Sequence, residues 1–151
     1  MTVSDELYQQ VILDHNRNPR NFHKMDNATH EAQGLNPLCG DEYRIFLEVD
    51  GENVIQDAAY EGRGCAISKA SASLMSEELK GKTEAEAREL FKAFHKMILG
   101  EPPDKACNIG KLAVFSGVWK YPARVKCAAL CWHALRSALD GDEVASTEDK
   151  M

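Results

Sequence analysis

Between Tyr43 and Val49 the chain follows a two-residue rhythm, and beyond Cys65 its patterns are helical. In EYRIFLEV, Tyr43, Ile45, Leu47 and Val49 fall on one face, with Arg44, Phe46 and Glu48 on the other. A period of two is the signature of a half-buried strand. Asp50 and Gly51 supply a turn, and residues 54–60 return as the second strand of a hairpin. A further strand is expected at residues 29–33.

The rest reads as helix. Ser4 is an N-cap candidate for a helix over 4–16, stopped by Asn18 and Pro19. Residues 66–79 are rich in Ala and Ser, which suits a helix lying close against a sheet or another helix. Thr83 and Glu86 form a capping box for a helix running to about residue 99, with Ala87, Leu90, Phe91, Phe94 and Ile98 as its inner stripe. Gly100, Pro102 and Pro103 end it. A short helix near 111–118 and a last one over 122–139 complete the series. Strands segregated from helices predict an α+β fold, a small antiparallel three-stranded sheet packed against about five helices. Its 151 residues suit one domain over 1–140, with a polar, frayed tail over 141–151.

Charge and hydropathy narrow the function. Asp and Glu outnumber Lys and Arg by 24 to 18, a net charge of −6, so nucleic acid is a poor partner despite the local basic group Lys120, Arg124 and Lys126. No apolar run approaches the roughly 20 residues that span a bilayer, and MTVSDELYQQ is acidic where a secretory signal is basic. A cytoplasmic protein without membrane contact is expected.

Five cysteines, Cys39, Cys65, Cys107, Cys127 and Cys131, are an odd number for a disulfide framework. In NPLCGDEY, Gly40 separates Cys39 from Asp41 and lets the backbone turn both toward one point. In EGRGCAIS, Gly64 delivers Cys65 to the start of a helix, where the dipole and open N–H groups favour a thiolate. In YPARVKC, Cys127 sits early in the last helix. Three thiolates and a carboxylate suit tetrahedral zinc, and thiolates also suit an iron–sulfur cluster. Spacing alone leaves a shared site and unrelated buried cysteines both open. Cys107 and Cys131 read as buried inert thiols, with an auxiliary role open to Cys131 four residues after Cys127. His133 reads as a surface or boundary residue, and His15, His23, His30 and His95 show no paired spacing that points to a function. Trp119 and Trp132 read as core or interface aromatics, and Ser68, Ser71 and Ser73 as helix-packing residues.

The segments CGDEY, EGRGCAIS and PARVKC, together with the opening LYQQVILDHNRNPRNF, resemble the IscU/SufU family, of the NifU N-terminal-domain type, in consistent order over about residues 7–139. Scaffold-type members carry a histidine before the third cysteine and a chaperone-recruiting peptide; here Lys126 precedes Cys127 and that peptide is missing. Arg124 and an apparent insertion around 98–112 resemble the SufU type. That resemblance implies Cys39, Asp41, Cys65 and Cys127 as zinc ligands, with Cys39 accepting persulfide sulfur from a SufS-type cysteine desulfurase. It also implies that Arg124 pairs with Asp41 or steadies the freed thiolate, and that downstream cluster-assembly proteins are further partners. The alternative is a scaffold that assembles and transfers a [2Fe–2S] cluster.

Overall fold

The computed structural model describes residues 5–37, 40–101, 109–141 and 144–146. The first helix, α1 (Asp5–Arg17), precedes three strands, β1 (His30–Asn36), β2 (Asp41–Val49) and β3 (Ile55–Arg63). Helices α2 (Ala66–Leu79) and α3 (Glu84–Ile98) follow, then two short 3₁₀ segments, Gly110–Phe115 and Val118–Lys120. The long helix α4 (Pro122–Asp140) and a short strand, β4 (Val144–Ser146), close the described chain. Each expected helix has its counterpart, the fourth as 3₁₀ turns. Ser4, the N-cap candidate, and Pro102 and Pro103, the expected helix stops, lie outside the described residues.

The three expected strands form an antiparallel meander, with Ala32 opposite Ile45 and Ile45 opposite Tyr60. A fourth strand lies within the tail expected to be frayed. Val144–Ser146 nevertheless pairs parallel to β1, giving the order β3-β2-β1-β4. Three residues are too few to show a period, and the pairing comes from Gly141, whose left-handed conformation (φ 82°) ends α4 and turns the chain back. The hairpin turn is held by Asp50, whose Oδ1 accepts from the N–H groups of Glu52 (2.8 Å) and Val54 (3.0 Å).

Helices α4 and α2 cover one face of the sheet. Close approach explains Gly34 in mid-strand: a Cβ there would lie 3.1 Å from the Ala134 Cβ of α4. The small residues of α2 do what their size suggests. Ala70, Ser71, Ala72 and Ser73 are buried, and Ser71 Oγ donates to the Ala128 carbonyl (2.7 Å) and accepts from Trp132 Nε1 (3.2 Å). Trp132 is fully buried and stacks on Phe94 at 4.7 Å, whereas Trp119 is half exposed. Phe46 departs from the polar face assigned to it: it packs with Met25 and Ala59 in a second small core. The capping box forms as read, Glu86 N–H to Thr83 Oγ1 at 3.1 Å and Thr83 N–H to Glu86 Oε1 at 2.9 Å. No helix among the described residues is long and apolar enough to cross a membrane.

Candidate metal centre

The sheet and the two helices beside it meet at one point. Asp41 is the first residue of β2, opposite Asn36 at the end of β1, and Gly40 takes a positive φ of 77° to bring the chain into register. Cys65 caps the N-terminus of α2 in extended conformation, and Cys127 lies in the second turn of α4. One ligating atom from each of Asp41, Cys65 and Cys127 falls within 4.8 Å of the others. Residues 24 and 62 positions apart in sequence thus share one site because β2, α2 and α4 converge there. Cys39 lies outside the described residues, in the connection between β1 and β2. Cys107 also lies outside them.

Asp41 is buried, and its two oxygens differ. Oδ1 accepts from the Cys65 N–H at 3.1 Å, which fastens β2 to the mouth of α2. Oδ2 is buried with no hydrogen-bond partner. A buried carboxylate oxygen without a donor costs more than an ordinary unsatisfied acceptor. A cation held jointly with the two sulfurs is the partner such an oxygen suits, and this donor set of soft sulfur and hard oxygen fits zinc.

Close packing fixes this geometry. A Cβ at Gly64 would stand 2.5 Å from Ser68 Oγ, 2.8 Å from the Tyr43 hydroxyl and 2.9 Å from the Asp41 carboxyl carbon. Glycine is required here for room, since only a bare backbone lets Cys65 and Asp41 come together.

The Cys65 thiol is lowered to about 6. A hydrogen bond with Cys127 is the main cause, followed by donation from Ser68; partial burial and the charge of Asp41 oppose them. Cys131 behaves oppositely: burial pushes its thiol up to about 12, and its sulfur sits 3.6 Å from Ser71 Oγ in the core. It is an inert core thiol. His133 is fully buried, not at the boundary, and edges onto Phe91 and His95 at 5.5 Å. Sequence could not place it, because a histidine on the inner face of α4 has the same spacing as one on the outer face.

Arg124 lies over the Tyr121 ring at 4.3 Å and the Tyr8 ring at 6.0 Å. Among the described residues it forms no ion pair with Asp41. Burial raises the Tyr8 hydroxyl, the Arg124 guanidinium pulls it back, and the sulfurs of Cys65 and Cys127 lie close enough to raise it further. Tyr8 and Tyr121 therefore hold the cation at the edge of the site, a role sequence reasoning missed because aromatics 113 residues apart carry no shared pattern. Beside them, Tyr8, Ile12, Leu13, Ile67 and Arg124 line a groove of about 310 Å³.

Comparison with known proteins gives a consistent result. The NifU-like N terminal domain family matches residues 7–128. The chain is similar to the zinc-dependent sulfurtransferase SufU of Bacillus subtilis, 41% identical over 139 residues, covering 92% of this chain and 93% of that protein. It is also similar to the iron–sulfur cluster assembly scaffold protein IscU of Thermotoga maritima, 40% identical over 133 residues, covering 88% and 92%. Among solved structures, FiSufU from Fervidobacterium islandicum AW-1, described as a candidate cluster assembly scaffold for the SUF system, superposes with a TM-score of 0.82 at 39% identity, covering 91% of this chain and 99% of that one.

Proposed function

This chain belongs to the family of NifU-like N-terminal domains, and on that premise we propose that it is a zinc-dependent sulfur acceptor serving a SufS-type cysteine desulfurase in iron–sulfur cluster assembly. The observation that carries the proposal is the convergence of Asp41, Cys65 and Cys127 around a buried carboxylate oxygen with no donor. Cys39 completes the ligand set in this reading. A zinc ion held there would keep its thiol ligands deprotonated at neutral pH.

The reacting group is the Cys39 sulfur. Its thiolate attacks the outer sulfur of the desulfurase's cysteine persulfide, and a new S–S bond forms on Cys39. The old S–S bond breaks, and its electron pair leaves with the desulfurase cysteine as thiolate. Nothing is oxidised or reduced overall. Assignment to Cys39 rests on anchoring. Cys65 is tied into the first turn of α2 by Asp41 and Ser68, and Cys127 is built into α4, which leaves Cys39, the remaining cysteine of the family motifs, as the reacting thiol. Arg124 supplies a fixed positive charge at the site edge to steady the anionic sulfur. The groove beside it offers the desulfurase an apolar edge.

A second reading, a scaffold for a [2Fe–2S] cluster, is favoured by the similarity to IscU of Thermotoga maritima. Lys126 immediately before Cys127 speaks against it, since it puts a cation where scaffold-type members carry histidine. Mass analysis after incubation with desulfurase and cysteine tests the proposal. One added sulfur on the peptide bearing Cys39 is expected; sulfur on the desulfurase alone would refute it.

A further inference from the structure

Ser68 differs from the other serines of α2. Ser71 serves the α4 backbone and Trp132, and Ser73 serves His15 and the Arg20 N–H. Ser68 turns to Cys65. Its N–H donates to the Cys65 sulfur at 3.4 Å, its Oγ lies 3.6 Å from that sulfur, and its hydroxyl donates to the Cys65 carbonyl at 3.0 Å. Behind it the Tyr43 hydroxyl stands 3.1 Å from Ser68 Oγ, and both residues are only 1% exposed.

A serine hydroxyl has one proton to give. Where Tyr43 donates to Ser68 Oγ, that proton goes to the Cys65 carbonyl; the Cys65 thiol donates to the same Oγ, and once ionised its sulfur becomes a second acceptor for the proton. A hydroxyl buried at this depth is costly unless it is bonded. The Ser68–Tyr43 pair is thus a buried polar unit whose outlet is Cys65. Gly64 leaves the space in which this pair, Asp41 and Cys65 meet.

We propose that Ser68, oriented by Tyr43, is a positioning residue of the metal centre: it hydrogen-bonds the Cys65 sulfur, aims it toward Asp41 and Cys127, and sets its strength as a metal donor. This rests on the metal-binding reading above. Groups that hydrogen-bond a ligand tune affinity by about 10–100-fold when removed, and a donor to a thiolate draws electron density from the sulfur.

Cobalt(II) replaces zinc as a spectroscopic probe on the purified full chain, with affinity read by chelator competition. In Ser68→Ala the sulfur-to-cobalt charge-transfer band moves to longer wavelength and affinity falls about 10-fold. Tyr43→Phe, which leaves Ser68 in place and removes one oxygen, moves the band in the same direction by less. A serine that only packs the helix would not move the band. Wild-type band position and affinity in Ser68→Ala overturn the proposal; if that variant does not fold, a wild-type spectrum in Tyr43→Phe does so. Absence of any charge-transfer band in the wild-type chain refutes the metal centre itself, and this proposal with it.

Discussion

Replacing Asp41 by asparagine exchanges a group suited to a cation for one suited to an empty, hydrogen-bonded site. Asp41 is 4% exposed, with Oδ1 bonded to the Cys65 N–H and Oδ2 without a hydrogen-bond partner. Asparagine keeps the first bond. In place of the second oxygen it puts an N–H₂ donor beside the sulfurs of Cys65 and Cys127, and it removes a negative charge that opposes the Cys65 thiolate. Relieving one buried orphan acceptor is worth about 2 kcal/mol. At about 3 °C per kcal/mol for a chain of this size, the metal-free variant should melt about 6 °C above wild type. Zinc reverses the order. Free metal a thousandfold above its dissociation constant stabilises the native chain by about 4 kcal/mol, and the variant, short of a charged ligand, gains much less. Thermal unfolding of both proteins, in chelator and in excess zinc, reads the crossing. Asp41→Asn melting below wild type in chelator, or gaining as much as wild type from zinc, would refute the reasoning.

Other expectations follow from the same packing. Gly64→Ala should cost about 1–3 kcal/mol in urea unfolding and lose zinc affinity, because the new Cβ collides with Ser68 and Asp41; Gly117→Ala, where a Cβ meets nothing within 4 Å, should change neither. Burial and the nearby Arg20 lower His15, whose Nδ1 lies 2.7 Å from Ser73 Oγ, while Glu77 and Asp14 oppose and Lys111 assists. Its folded pKa lies below the ordinary value of about 6.5, so the unfolded chain takes up the proton first. Stability from this residue is complete above about pH 6.5 and is lost as pH falls toward the folded pKa, by at most about 1.4 kcal/mol per unit. Urea midpoints for wild type and His15→Gln should therefore converge as pH falls through that window; parallel profiles would contradict the assignment. In the native metal-free chain a thiol alkylating reagent should label Cys65 rapidly and leave Cys131 unmodified, read by peptide mass, since one thiol is lowered to about 6 and the other is buried and raised to about 12.

Local signals were legible wherever a residue type has one mechanical meaning. Alternation gave β2, Thr83 with Glu86 gave the start of α3, and Gly64 before Cys65 marked a thiol at a helix mouth. Convergence was not legible. Nothing in the spacing of Asp41, Cys65 and Cys127 says that β2, α2 and α4 end at one place; the family resemblance implied it, and the fold supplies the three surfaces that meet. The polar surroundings of the site were missed for the same reason. Tyr8, Tyr43, Ser68 and Tyr121 act across the fold, and each reads locally as an ordinary helix, strand or loop residue. Phe46 and His133 were misjudged because a residue's face follows from what packs on it. Met25 and Ala59 bury the former, and Phe91 beside His95 buries the latter.

Turnover of cysteine by a SufS-type desulfurase, with and without the zinc-loaded chain, tests the central claim most directly. The account predicts strong stimulation by the wild-type chain, lost in Cys39→Ser although that variant remains folded. No stimulation, together with a stable [2Fe–2S] cluster built on the chain from iron and sulfide, would contradict it and make the protein a scaffold.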